Sequence, residues 1–288
     1  GLGVEIGALN NRNWETDEVE IDFFGQTLPV TLEREDPPRF TVLADGRAEY
    51  RRRLGDRDGV GFAGFVQGFV DVEEAEGDAF DDRRAGARLG LRATPPRTTI
   101  QAGPSVSFRN IGGERFEDQF LVELSAEHRT ATGLSLSAFG AAGRAENRLF
   151  DDRSGTALFA SVGLAQSLGG RATAGARVRG ERRNARTDFD SYSDAAFELF
   201  GVAEITGGVT VEATAFHRVV SFQERRPPFL NRRTDRETGG DLRLVKNDLY
   251  LLGLFSPYVE LGFSRNRSTI EAFGFDETRI QIGVERTL

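Results

Sequence analysis

The chain has two imidazoles, His128 and His217, and no thiol. Hydrolysis of the Asp/His or Ser/His kind needs a histidine that reaches both a partner and a substrate. His128 follows Phe120, Val122, Leu124 and Ala126 at alternate positions, and His217 follows Val209, Val211, Ala213 and Ala215 in the same way. Each therefore shares a face with apolar residues. His128 is expected beside a short turn and His217 toward a long loop, so the two would not act together. An interfacial, amphipathic role suits each better. The acidic pairs Glu73–Glu74, Asp81–Asp82 and Asp151–Asp152 lack the spacing of a calcium loop and read as solvated charge. No P-loop, dinucleotide fingerprint or zinc spacing is present. No catalytic residue, metal or cofactor is expected.

A second kind of chemistry is more evident. In "RATAGARVRGER", Ala172, Ala174, Ala176 and Val178 alternate with Thr173, Gly175, Arg177, Arg179 and Glu181. In "RAGARLGLRA", Leu89 and Leu91 alternate with Arg88, Gly90 and Arg92. Collected along the chain, the polar face holds Arg47, Glu49, Arg88, Arg92, Glu123, Arg177, Arg179, Glu181, Glu212, Arg243, Glu260 and Arg279. Such a face can form cross-strand salt bridges that hold a shape. It can also line a wetted conduit whose charge sets selectivity. A mixture is expected, with the salt-bridge network ahead. Outside this face, segment 224–237 carries Arg225, Arg226, Arg233 and Asp235, and its "RRPPF" is a candidate to fold inward.

The elements that would position these residues are strands. Period-two alternation recurs in fourteen segments, near 2–12, 39–54, 58–73, 82–94, 97–109, 118–130, 132–146, 154–167, 170–184, 194–206, 208–223, 237–252, 256–267 and 277–288. The twelfth is the least regular, because Lys246 and Asp248 interrupt its apolar face. Short connectors such as "GDRDG" (55–59), "TPPR" (94–97), "LGGR" (168–171), "TGG" (206–208) and "GLFSP" (253–257) alternate with long polar ones, among them "RNIGGERFED" (109–118) and "NRSTIEAFGFDE" (266–277). Segment 11–38 has room for a small hairpin in "VEIDFFGQTLPVTL". Short turns at one rim and long loops at the other predict an all-β, transmembrane antiparallel up-and-down β-barrel of about fourteen strands.

Hydrocarbon offers no hydrogen-bond partners, so only a closed sheet can cross it with strands. A soluble β-sandwich would need large aliphatics inside; here the apolar face is rich in Ala and Gly, and the opposite face is charged. The last segment must then pair with the first. Its apolar face, Ile280, Ile282, Val284 and Leu288, ends on an outward residue, as outer-membrane proteins do for their assembly machinery.

Composition narrows the classes further. The net charge of −8 over 288 residues, without a basic block, argues against nucleic-acid binding. Lys246 is the lone lysine among 37 basic residues. Genomic composition is the plain account of that bias, while the different chemistry of Arg and Lys leaves a functional one open. Methionine is absent and the sequence starts at Gly1, as expected of a mature fragment or an excised domain from which any signal peptide has been removed.

The C-terminal stretch "RRTDRETGGDLRLVKNDLYLLGLFSPYVELGFSRNRSTIEAFGFDETRIQIGVERTL" resembles the barrel domain of the surface lipoprotein assembly modifier family. The residues that carry the resemblance are Arg233 and Asp235; Gly253 and Pro257; Arg265, Asn266, Ser268 and Ile270; Phe273 and Phe275; and Gly283, Arg286 and Leu288. Thr269 and Leu288 depart from the family's usual Asn and Phe. The resemblance implies a barrel domain over 1–288, preceded in the full protein by a periplasmic tetratricopeptide domain. It implies a non-catalytic translocator in the bacterial outer membrane. Its partners would be membrane lipids, the barrel assembly machinery, and a client lipoprotein or secreted protein, with the barrel monomeric. A weak first–last strand seam would assist passage. A passive diffusion porin and a loop-based receptor or adhesin are the alternatives.

Overall fold

An apolar face and a charged face on every strand are both satisfied when the sheet closes with charges inside and grease outside. The structure is a computed structural model that describes residues 2–14, 16, 18–23, 26–31, 40–75, 81–249 and 255–286. It contains β1 (Leu2–Trp14), β2 (Glu18–Phe23), β3 (Gln26–Thr31), β4 (Phe40–Arg57), β5 (Val60–Ala75) and β6 (Asp82–Thr94). These are followed by β7 (Thr98–Ile111), β8 (Glu114–Arg129), β9 (Leu134–Asn147), β10 (Gly155–Leu168) and β11 (Ala172–Ala185). The series ends with β12 (Tyr192–Ile205), β13 (Val209–Phe222), β14 (Thr234–Lys246), β15 (Ser256–Ser268) and β16 (Phe275–Arg286). Among the described residues, fourteen of these close one antiparallel barrel in chain order, from β1 through β4 to β16 and back to β1. The other two, β2 and β3, pair as a separate hairpin. No helix of the described residues is long and apolar enough to cross a membrane.

The two faces separate as the alternation requires. Val66, Val122, Phe263 and Ile282 are 52–66% exposed on the outside. Their inward neighbours Phe65, Tyr258 and Gln281 are 3–6% exposed. Barrel strands run from 12 to 18 residues, longer than the 9–11 or so a tilted strand needs to cross.

The tight turns follow local chemistry. Arg57 pairs with Val60 across Asp58 (φ 50°) and Gly59 (φ 77°), the left-handed pair of a type I′ hairpin. The expected long loop at 109–118 is instead a tight turn. Gly112 (φ 57°) and Gly113 (φ 79°) let Ile111 pair directly with Glu114, and β7 and β8 run on to meet there. The twelfth barrel strand starts earlier than expected, at Thr234, and stops at Lys246 rather than 252. Lys246 ion-pairs with Asp248 at 2.6 Å, and the Asn247 N–H donates to Gly208 O at 2.8 Å, which turns the chain away. Of the expected 253–257 turn, 253–254 lie outside the described residues and Pro257 already belongs to β15.

At the closure, β1 pairs with β16 from Leu2 opposite Arg286 to Trp14 opposite Phe275, with an irregularity between Glu5 and Ala8. The shorter ladder is the one to β4, from Leu2 opposite Gly46 to Leu9 opposite Phe40. Leu288 lies outside the described residues.

Candidate functional site: the barrel lumen

Inward positions on β14, β15 and β16 bring together the densest ion cluster of the wall. Arg243 pairs with Glu285 at 2.5 Å and lies 4.0 Å from Glu260. Its guanidinium stacks 3.6 Å over the Tyr258 ring. Arg279 donates to Asp241 at 3.0 Å and to Glu260 at 3.3 Å. Around the wall, Arg88 meets Glu123 at 3.2 Å and lies over the Phe65 ring. Glu49 accepts from Arg51 and Gln67 and stands 3.7 Å from Arg92. Arg47 lines the same cavity as Glu49 and Arg88. Arg177 is 3.5 Å from Glu198, and Glu181 accepts from the Tyr192 hydroxyl at 2.6 Å. Arg179 lines a lumen groove with them. Glu212 sits opposite Arg243 in register, half-buried.

All twelve of these positions thus fall on the inner wall, and most are joined by ion pairs, which the salt-bridge reading anticipates. Sequence reading overlooked other members of the network. Arg183 of β11, buried, reaches Glu117 of β8 at 2.5 Å across two intervening strands. Arg218, inward by its alternation, pairs at 2.7 Å with Asp194 of β12, and that partner was not foreseen. It also overlooked inward aromatics seated on glycines of the next strand: Phe69 on Gly86, Phe200 on Gly175, Phe216 on Gly239 and Tyr258 on Gly283. A Cβ on Gly283 would come 2.6 Å from the Tyr258 ring, so a larger residue there would have to displace it. Such pairs are visible in sequence only once the register is known.

The loop rim is held by buried polar side chains. Asp118 sits between Arg115 at 2.5 Å and Arg148 at 2.6 Å. The Asn147 carboxamide oxygen accepts the N–H groups of Leu149 and Phe150 at 3.1 and 2.7 Å. Ser154, Ser191, Asp235 and Asn266 are buried in equivalent places. The hydrogen bond from Arg148 to Asp118 raises the guanidinium's pKa, and the hydrogen bond from Lys246 lowers that of Asp248 at the opposite rim. Of the acidic pairs expected to be solvated, Asp151 and Asp152 are exposed, with Asp151 beside Arg186, and Glu74 is half-buried beside Arg83 at 2.7 Å; Asp82 pairs with Arg109 at 2.5 Å, whereas Asp81 is buried and accepts Ala75 N–H at 3.0 Å.

Segment 224–237 divides: 234–237 are strand, and the loop residues pack at the rim. Phe229 bridges to Ile21 of the hairpin and meets Phe273 edge-on at 5.6 Å. Val19, Ile270 and Ala272 are buried beneath. Arg233 lies 3.7 Å over Phe273 and pairs with Asp235 at 2.7 Å. Arg226 reaches Asp190 at 3.5 Å, and Arg225 is exposed. The "RRPPF" phenylalanine thus serves an apolar cluster with the hairpin. His128 and His217 are both exposed, each sharing a hydrogen bond with a threonine across the strand pair, Thr98 at 2.9 Å and Thr238 at 2.8 Å.

A closed antiparallel sheet with an apolar girdle and a charged interior defines a β-barrel of the bacterial outer membrane. Solved structures of OmpT, an outer membrane protein of Vibrio cholerae, share the architecture. The in-vitro folded form gives a TM-score of 0.53 at 11% identity over 98% of this chain and 96% of that one. The outer-membrane expressed form gives 0.52 at 10% identity over 98% and 95%. A loop L8 deletion mutant gives 0.51 at 10% identity over 99% and 98%. At these identities the likeness concerns the fold alone. No curated protein matches significantly. The model of the surface lipoprotein assembly modifier family matches residues 62–288, and the chain belongs to that family.

Proposed function

We propose that this barrel is a non-catalytic outer-membrane translocator that moves client lipoproteins or secreted proteins to the cell surface. The observation that carries the reading is the family match over 62–288. A water-compatible inner wall supports it: side-chain ion pairs can exchange partners with a passing chain without breaking the backbone ladder that seals the barrel. On this reading the working residues are Arg47, Glu49, Arg88, Arg92, Glu123, Arg177, Arg179, Glu181, Glu212, Arg243, Glu260 and Arg279. The rim set Arg225, Arg226, Arg233 and Asp235 positions the loop at the mouth. The barrel works as a monomer, inserted by the assembly machinery and joined upstream to a periplasmic tetratricopeptide domain.

The test is co-expression of the full-length protein with a candidate client lipoprotein in a heterologous outer membrane, scored by protease accessibility of the client on intact cells. Client exposure that depends on the barrel supports the reading. A steady nanosiemens-scale conductance in planar bilayers, with no client exposed, assigns the barrel to passive diffusion instead.

A further inference from the structure

A groove of about 540 Å³ runs along the inner wall from β6 to β12. Its floor is hydroxyl-rich, with Thr99, Ser125 and Ser161. Arginines stand toward its two ends: Arg92 on β6, and Arg177 with Arg179 on β11. Five strand spacings of roughly 4.8 Å separate β6 from β11, about 24 Å along the wall. The carboxylates that share the groove are engaged elsewhere. Glu127 is held by Arg129 at 2.8 Å, Glu181 by the Tyr192 hydroxyl at 2.6 Å, and Asp194 by Arg218 at 2.7 Å. Among the described residues, Arg92 and Arg177 keep long pairs, 3.7 Å to Glu49 and 3.5 Å to Glu198. Arg179 is flanked on β12 by Asp194 and Glu198, which face Arg218 and Arg177, and among the described residues it has no carboxylate within ion-pair distance.

Guanidinium groups that lack a full partner attract anions, and the guanidinium fork matches the two oxygens of a carboxylate or phosphate. Arg177 and Arg179 lie two residues apart on one face, about 7 Å along the strand, so both reach one oxyanion. We propose that this groove is an anion site, in which Arg177 and Arg179 hold a carboxylate or phosphate oxyanion and Arg92 holds a second negative group of an extended ligand. The inference deepens the translocation reading and rests on it only for the source of the anion: acidic side chains of a passing client, or a small free anion.

The test uses the whole barrel in detergent micelles at low ionic strength, titrated with inorganic phosphate by isothermal calorimetry. Phosphate binding is expected, and Arg177→Gln with Arg179→Gln weakens it at least tenfold. Arg182→Gln, on the outer face of the same strand, leaves it within twofold. Heat-modifiable gel mobility verifies folding; if the double variant misfolds, Arg179→Gln alone decides, because that side chain holds no ion pair. Absent phosphate binding, or binding unchanged in the variants, overturns the site. An acidic peptide that displaces phosphate better than its glutamine counterpart supports the site with a client as source; equal displacement supports it with a small anion as source. Client delivery without phosphate binding overturns this inference alone, and phosphate binding without client delivery overturns the translocation reading alone.

Discussion

Replacing Gly283 with alanine tests whether the inward rings depend on the glycines beneath them. The added Cβ would lie 2.6 Å from Cζ and Oη of Tyr258, about 1 Å inside ordinary carbon contact. The ring is 3% exposed, and the Arg243 guanidinium covers it at 3.6 Å. It can yield only by disturbing that stack or the 2.5 Å pair between Arg243 and Glu285. Overpacking of this kind costs about 1–3 kcal/mol, and a lost cation–π stack about 0.5–2 kcal/mol. We expect Gly283→Ala to lower the unfolding free energy by about 2 kcal/mol in urea titrations of the barrel in lipid vesicles. Gly64→Ala is the reference, since a Cβ there meets nothing within 4 Å; it should be neutral or stabilising by up to about 1 kcal/mol. Tyr258→Ala alone should cost roughly 3 kcal/mol. In that background the Gly283→Ala penalty should nearly vanish, a coupling of about 2 kcal/mol. An undiminished penalty without the ring would refute the reasoning.

Other perturbations separate the remaining parts. Arg183→Ala leaves Glu117 without its 2.5 Å partner on β11, and should cost about 3 kcal/mol in the same urea titration; a change under about 0.5 kcal/mol would make the link incidental. At the short-turn rim, the depressed carboxyl of Asp248 adds stability above the ordinary carboxylate pKa of about 3.9. That stability is lost as pH falls through the lower folded-state value, so the difference from Asp248→Asn should shrink on acidification below about pH 4. A difference that persists unchanged in acid argues against the ion pair. Phe229→Ala should free the rim loop from the β2–β3 hairpin and speed limited proteolysis within 223–233, with the barrel's gel mobility unchanged; equal cleavage rates would count against the apolar cluster. His128→Ala and His217→Ala should leave client exposure intact, and loss of exposure in either would assign that imidazole a role.

The fold was readable because the bilayer imposes a strong pattern. Alternation and the turn rhythm placed most strand centres, including β11, where Arg177, Arg179 and Glu181 face inward against outward Val178. Boundaries were harder, since they depend on chemistry that alternation does not carry. Gly112 and Gly113 read as loop material, yet paired left-handed glycines make the tightest turn, and β7 and β8 meet there. The end of β14 falls at the local Lys246–Asp248 pair, whose charges already break the alternation, though alternation alone does not say where the ladder stops. The charged wall was legible as a set but not as a network: Arg183 finds Glu117 three strands away, at a distance that no spacing rule encodes. The glycine seats for Phe69, Phe200, Phe216 and Tyr258 were hidden for the same reason, because opposition across strands needs the register.

The buried polar anchors around Asp118, Asn147, Ser154, Ser191, Asp235 and Asn266 all belong to one end of the cylinder, whereas the other end relies on small turns and open side chains. The two mouths therefore differ in stiffness. A load carried along the bore would be relieved first at the turn end, because among the described residues the buried polar contacts sit at the loop end.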